Sequence, residues 1–236
     1  MWDDIVTKEG WVKNTILFGK YRLLHQLGTG RAGTVWLAVH IGLEEYRAIK
    51  RISKRDADYD SFRREALVLK ELHHPGIPMI YDLEEDSEFF YLIEEYLEGY
   101  SLYALIANQG PIQEAEAVRY GMQVCGLVAY MHSACEIPIL HLDLQPNNLI
   151  ICNGTVKLID FDHAAGCRWA NIAPKRFGTV GCAAPEQYAS DRMLDQRTDI
   201  YAIGAVLRFM TAGTLREDAG QSAALSEDFE RIIRKC

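Results

Sequence analysis

His141-Leu142-Asp143-Leu144-Gln145-Pro146-Asn147-Asn148-Leu149-Ile150-Ile151-Cys152-Asn153-Gly154-Thr155-Val156-Lys157-Leu158-Ile159-Asp160-Phe161-Asp162 is the stretch from which the rest of this 236-residue chain is read. Asp143 and Asn148 fall on a loop, and Asp160 follows the short apolar run Val156 to Ile159, which reads as a strand. Carboxylate and amide oxygens are hard ligands suited to Mg2+, a cation that keeps waters and shares phosphate oxygens. An Asp, an Asn five residues on, and a strand-borne Asp are the parts that phosphoryl transfer requires. One carboxylate accepts the nucleophile's proton, while the amide and the second carboxylate hold metal against phosphate. The bland alternative is a polar turn between two buried strands. The remaining motifs weigh against it.

The length allows one large domain or two small ones, and the hydrophobic and charged fractions, 49% and 25%, are those of an ordinary globular protein. A net charge of −8 argues against a nucleic-acid partner, which would want a basic face. The longest apolar run, Ile200 to Met210, is broken by Arg208 and is too short to span a membrane. The chain opens Met1-Trp2-Asp3-Asp4, acidic where a secretory leader is basic. Its six cysteines form no C-x-x-C, so reduced thiols and a cytoplasmic location are expected, with an anchor beyond residue 236 left open.

Residues 1–18, with Trp2, Trp11 and Phe18, fit either a flap packed on the domain or a segment outside it. Tyr21 to Leu27 leads into Gly28-Thr29-Gly30-Arg31-Ala32-Gly33-Thr34-Val35, a G-x-G-x-x-G-x-V pattern. A dinucleotide fingerprint needs a helix directly after its glycines. Here a strand follows, Val35 to His40, so the glycines belong to a hairpin whose backbone can lie over phosphates. Arg47 to Ile52 reads as the next strand, with Lys50 in its interior, either solvated or paired with a carboxylate. Glu65 is the candidate partner, on a helix from Asp58 to Leu72 whose apolar face is Phe62, Ala66, Leu69 and Leu72. His73-His74-Pro75-Gly76 ends that helix, and the two histidines read as structural.

Strands are expected at Ile77–Leu83 and Phe89–Glu94, joined by the acidic turn 84–87, and then a hinge at 95–99. A short helix runs from Ser101 to Gly110. Pro111 opens a long one to about Ser133, with Ile112, Ala115, Val118, Met122, Cys125, Ala129 and His132 at helical spacing. Asp199–Met210 reads as a buried helix and Ser226–Lys235 as an amphipathic one.

The glycine hairpin, Ala48-Ile49-Lys50, Glu65, H-x-D-x-x-x-x-N, Asp160-Phe161 and Ala184-Pro185-Glu186 stand in the order of the protein-kinase signature set. From about residue 21 to residue 236 the chain resembles a eukaryotic-type protein kinase domain, and 211–236 resemble the bacterial serine/threonine kinases of that family. The resemblance implies an α+β, bilobal fold. A small antiparallel β-sheet N-lobe with one main helix (21–94) would follow an N-terminal extension (1–20). A hinge (95–99) would join it to a larger, mostly helical C-lobe (100–236), with the family's final helices missing and ATP in the cleft.

It further implies that Leu27, Gly28, Thr29, Gly30, Gly33 and Val35 cover the nucleotide. Lys50, paired with Glu65, would bind the α/β-phosphates. Glu95 and Leu97 would meet adenine through their backbone, with Ala48 and Ile150 about the ring. Asp143 would be the catalytic base, Asn148 and Asp160 the ligands of Mg2+ (or Mn2+), and Thr179 the brace of Asp143. Asp199 would anchor the loop from below, and Phe161, His141, Leu69 and Leu83 would form a stacked apolar spine. ATP and a protein bearing Ser/Thr would be the partners, with no nucleic acid or membrane contact.

The chain departs from the family at several positions. Leu142 replaces the Arg before the catalytic Asp, Gln145 the Lys two residues after it, and Asp162 the Gly of Asp-Phe-Gly. Glu94 stands where an apolar gatekeeper is usual, and the Arg that usually pairs with Glu186 is absent. Between Asp162 and Ala184 the one hydroxyl side chain is Thr179. With Leu142 removing the phosphate's partner and Thr179 committed, activity independent of activation-loop phosphorylation is expected, the segment being held by Trp169, Ile172 and Phe177 or by a partner. The alternatives are a pseudokinase acting as a nucleotide-binding or scaffold module, and a small-molecule kinase of the aminoglycoside or choline type. Gly178-Thr179 and Ala184-Pro185-Glu186 argue against the latter.

Overall fold

The computed structural model describes residues 13–30, 33–55, 59–166, 177–189, 193–216 and 225–236. They fall into two compact units, Met1–Ala66 with Pro78–Leu97, and Leu67–Ile77 with Glu98–Cys236.

The first unit is a six-stranded antiparallel sheet. Its strands are β1 (Ile16–Leu17), β2 (Tyr21–Gly30), β3 (Gly33–His40), β4 (Glu45–Ser53), β5 (Ile80–Glu85) and β6 (Phe89–Glu95), in the order β1-β2-β3-β4-β6-β5. Strand side chains alternate faces, so each strand divides its apolar residues between two sides. Tyr21, Leu23, Trp36, Ala38, Ile49, Tyr91 and Ile93 form one buried cluster, with Leu17 and Phe18 packed against it. Phe18 meets Tyr91 edge-on at 5.0 Å, and Leu23 N–H donates to Thr15 O at 2.9 Å. Residues 13–18 therefore belong to this sheet; Trp2 and Trp11 lie outside the described residues. Helix α1 (Tyr59–Glu71) serves the other face, where Phe62 stacks on Phe90 at 4.8 Å. β5 starts at Ile80 rather than Ile77 because Pro78 has no N–H to give a ladder.

The G-x-G-x-x-G stretch is a hairpin, with Gly28 opposite Val35, Thr29 opposite Thr34 and Gly30 opposite Gly33. Its glycines differ in what they do. Gly33 has φ 137°, and a Cβ there would stand 2.0 Å from Arg51 O, so the fold itself requires glycine. Gly28 and Gly30 have no neighbour within 4 Å of such a Cβ. We expect Gly33→Ala to cost about 2–3 kcal/mol, read as a lowered denaturation midpoint, by forcing β3 away from β4.

The second unit holds α2 (Leu102–Gln109), α3 (Glu114–Ser133), α4 (Gln196–Ala212) and α5 (Glu227–Lys235). Two small sheets accompany them: β7 (Tyr100–Ser101), β9 (Leu149–Cys152) and β10 (Thr155–Leu158), and β8 (Ile139–Leu140) with β11 (Ala165–Gly166). α3 and α4 run antiparallel: Ile112 N–H donates to Met210 O at one end, and His132 Nε2 meets Asp199 Oδ2 at the other. Gln113 is extended (φ −65°, ψ 148°) and caps the helix, so α3 begins at Glu114 rather than Pro111. The structure also reverses the face expected of α3. Ala117, Tyr120, Gly121, Val124, Leu127, Val128 and Met131 are buried, while Val118 and Met122 are 38% and 71% exposed. Both faces of this helix carry apolar residues at helical spacing, so periodicity could not choose between them. Among the described residues no helix is long and apolar enough to cross a membrane.

Candidate active site

In the second unit the site is built on the β9–β10 hairpin. Its loop, Asn153-Gly154, has φ 48° and 79°, the pair of left-handed residues that a two-residue hairpin turn uses to match strand twist. Leu149 lies opposite Leu158, and Ile159 N–H donates to Asn148 O at 2.9 Å. This register brings Asn148, at the end of the 3-10 turn Pro146–Asn148, and Asp160 to the same end of the hairpin.

Asp199, in the first turn of α4 and 1% exposed, holds the loop from beneath. Its Oδ2 accepts from His141 N–H at 3.0 Å and its Oδ1 from Leu142 N–H at 2.9 Å. Leu142 and Asp160 both have φ 65°, a left-handed conformation that costs a non-glycine residue about 1 kcal/mol and here flanks the candidate chemistry. Asp162 is not among the positive-φ residues, so the freedom of the family's glycine is not used at that position. His141 is fully buried, and burial pushes its pKa below the ordinary range, so the ring is neutral. Its Nδ1 accepts from Asp143 N–H at 3.3 Å, which assigns the ring proton to Nε2, and its edge meets Phe161 at 5.0 Å.

Three neutral donors grip the Asp143 carboxylate. Thr179 Oγ1 donates to Oδ1 at 2.9 Å, Gln145 Nε2 to Oδ2 at 2.8 Å, and Asn148 Nδ2 to Oδ2 at 3.3 Å. Asn148 Nδ2 also donates to Asp143 O at 2.9 Å. The amide nitrogen is thus committed inward, and Oδ1 is the hard oxygen Asn148 has to offer. Thr179 is delivered by a tight turn. Gly178 has φ 118°, and Thr179 O accepts from the N–H groups of Cys182 and Ala183 at 2.9 and 2.8 Å.

Sequence reasoning did not foresee the packing around Leu142. Leu140, Leu142, Ala165 and Leu194 form a buried cluster, with Phe177 packed against it, and Phe177 stacks on His163 at 4.9 Å. Gln187, 1% exposed, donates from Nε2 to Leu142 O at 2.7 Å and to Phe177 O at 3.4 Å, while its Oε1 accepts from Ala184 N–H at 3.0 Å. The single hint was a polar residue directly after Ala-Pro-Glu. Glu186 Oε1 accepts from Thr198 Oγ1 at 2.9 Å. Leu83, assigned to a buried spine, is 41% exposed. Trp169, Ile172, Lys175 and Arg176 lie outside the described residues.

In the first unit Lys50 Nζ lies 3.0 Å from Glu65 Oε1 and 3.3 Å from Oε2, with both side chains buried. The β3–β4 and β4–β6 registers set Lys50 between Val35 and Leu92, and Ala48 between Leu37 and Glu94. Leu27 is 42% exposed, while Glu95 and Leu97 are half-buried; Glu95 N–H donates to Met79 O at 2.9 Å. On β9, Ile150 lies opposite Lys157 and is half-buried.

A family model described as "Protein kinase domain" matches residues 21–234. The "Serine/threonine-protein kinase PrkC" of Bacillus subtilis (strain 168) is 35% identical over 213 residues, 87% of this chain and 32% of that protein. The "Probable serine/threonine-protein kinase KIN1 homolog" of Enterocytozoon bieneusi (strain H348) is 33% identical over 221 residues, 92% of this chain and 36% of that protein. The "Calcium-dependent protein kinase 5" of Plasmodium falciparum (isolate 3D7) is 31% identical over 194 residues, 80% and 33% respectively. The chain belongs to the protein kinase domain family. It spans about a third of the length of these curated relatives.

Proposed function

We propose that the chain is a serine/threonine kinase domain that transfers the γ-phosphoryl group of ATP to hydroxyls of protein substrates, without prior phosphorylation of segment 163–184. The observation that carries the first part is the Asp143 carboxylate, oriented by Thr179, Gln145 and Asn148 and left without a cation among these three donors. A carboxylate held in this way is fitted to accept the proton of an attacking hydroxyl. The new bond joins that hydroxyl oxygen to the γ-phosphorus, and the bond from the γ-phosphorus to the β–γ bridging oxygen breaks. Asn148 Oδ1 and the Asp160 carboxylate form a hard donor set that fits a divalent cation, Mg2+ or Mn2+, and such an ion supplies charge neutralisation for the phosphates when bound.

Gly28 and Gly30 are demanded neither by a positive φ nor by packing, which supports a hairpin kept bare so that phosphates can approach its backbone. Lys50, fixed by Glu65, would direct its ammonium at the α/β-phosphates. Leu27, Thr29, Val35, Ala48 and Ile150 would line the nucleotide, with the backbone of Glu95 and Leu97 reading adenine. The net charge of −8 suits a protein substrate rather than nucleic acid.

The second part rests on Leu142. Where a phosphate-binding Arg would serve an electrostatic latch, Leu142 joins the apolar cluster with Leu140, Ala165 and Leu194, and Phe177 closes it.

Gln145 and Asp162 favour a rival reading, a module that binds nucleotide without transfer. Intact-mass spectrometry with and without Mg-ATP separates the two: added phosphate supports transfer, whereas nucleotide binding with no added mass on chain or substrate favours the rival. Gln145→Lys tests the same point from the other side. An ammonium near the transferring group is expected to raise turnover by about tenfold. Unchanged turnover, measured as initial rate, would mean that another cation already serves there.

A further inference from the structure

We propose that Cys125 on α3 and Cys236 at the end of α5 form a dithiol–disulfide pair that fastens these two helices together, a site independent of the phosphate-transfer machinery. Three ties converge on it. Ser226, the N-cap of α5, donates to Glu114 at the start of α3 through both its N–H and its hydroxyl, each at 2.7 Å. Cys125 lies eleven residues beyond Glu114 and Cys236 ten residues beyond Ser226, so at helical rise they stand about 16.5 Å and about 15 Å along their helices from the Glu114–Ser226 tie. The far end of α5 rests on α4, where a Cβ on Gly204 would stand 2.6 Å from Cys236 Cβ and 3.3 Å from Ile233 O.

α3 brings Cys125 to the same part of α4. A Cβ on Gly121 would stand 2.6 Å from Leu207 Cδ2, and His132 reaches Asp199 at 2.9 Å. Positions 121, 125, 128 and 132 share one stripe of α3, and Gly204 lies between Asp199 and Leu207 on the antiparallel α4. On this stripe Cys125 lies between Gly121 and His132, whose partners Leu207 and Asp199 flank Gly204, the residue against which Cys236 packs. Loss of solvation pushes both thiols above their ordinary range, and the charge of Cys125 raises Cys236 further.

Cys125 is exposed and is the point of attack. With a low-molecular-weight disulfide as oxidant, its thiolate displaces one small thiol and forms a mixed disulfide. Cys236 thiolate then attacks the Cys125 sulfur and releases the second small thiol. One Sγ–Sγ bond forms, the oxidant's S–S bond breaks and is reduced by two electrons, and the two protein thiol protons end on the two small thiols. Because the thiolate is the nucleophile, raised thiol pKa values make this slow near neutrality and faster in mild alkali. Cys182 is no rival: it is 2% exposed, and burial pushes its thiol up to about 12.

The test treats the full chain with oxidised glutathione in mildly alkaline buffer, blocks remaining thiols, and maps peptides by mass spectrometry. The expected product is an intramolecular link between the peptides of Cys125 and Cys236. A rise in thermal midpoint on the order of 5 °C, reversed by dithiothreitol, should accompany it. Cys125→Ser and Cys236→Ser should each abolish link and shift, and Cys152→Ser should keep both. Separate glutathione adducts on the two cysteines, a link between chains or to another cysteine, or no reaction at all would each overturn the proposal.

Discussion

Asp143→Asn is expected to lower phosphate transfer by about 10³-fold while changing nucleotide affinity by no more than about twofold. The amide can still accept from Thr179 through one oxygen, so the fold of the loop survives. It is a far weaker proton acceptor, and its NH2 group would face Gln145 Nε2 or Asn148 Nδ2, donor against donor, where a carboxylate now accepts from both. The loss should therefore fall on turnover, with thermal stability little altered. Calorimetric nucleotide binding beside initial-rate assays checks both halves. Wild-type turnover in the variant would remove Asp143 from the role of base.

Leu142→Arg is expected to cost about 3 kcal/mol of stability and at least about tenfold in activity. In other members of the family an Arg at this position is unremarkable. Here Leu142 is 3% exposed, its neighbours are Leu140, Ala165, Leu194 and Phe177, and its carbonyl is bound by Gln187. A guanidinium there would have to displace the cluster or leave its charge unsolvated. Either change would release Phe177, and with it the start of the turn that delivers Thr179 to Asp143 Oδ1. Chemical denaturation and initial rates of the same preparation separate the two effects. A variant as stable as the wild type would show that the apolar latch is not what holds the segment.

Much of the site was legible because its chemistry is local. Asp143, Gln145, Asn148 and Asp160 sit within one stretch, and the hairpin register that joins Asn148 to Asp160 follows from Asn153-Gly154 and the strands beside it. Lys50 read as a strand-interior lysine, either solvated or paired with a carboxylate, with Glu65 the candidate partner, and Glu65 lies 3.0 Å away. What escaped was set by contacts remote in sequence. Leu142 could be seen to replace Arg, and Phe177 to hold the segment, yet Ala165 and Leu194, which complete the cluster with Leu140, come from separate segments, and a lone Leu carries no sign of a cluster. Gln187 shows no periodicity and acquires its role only when three backbone groups converge on it. The buried face of α3 was misread because Val118 and Met122 repeat at the same spacing as Leu127 and Met131, and only packing against α4 selects between them.

The central claim, transfer that needs no phosphate on the activation segment, is tested most directly by initial rates of labelled-phosphate transfer from ATP to a generic protein substrate. The enzyme would be measured before and after complete phosphatase treatment, with Asp143→Asn as the blank. The account predicts transfer well above the blank and the same initial rate in both preparations. A large loss after phosphatase, restored by preincubation with ATP and mapped to residues 163–184, would contradict it, as would transfer no greater than the blank from a protein that binds Mg-ATP.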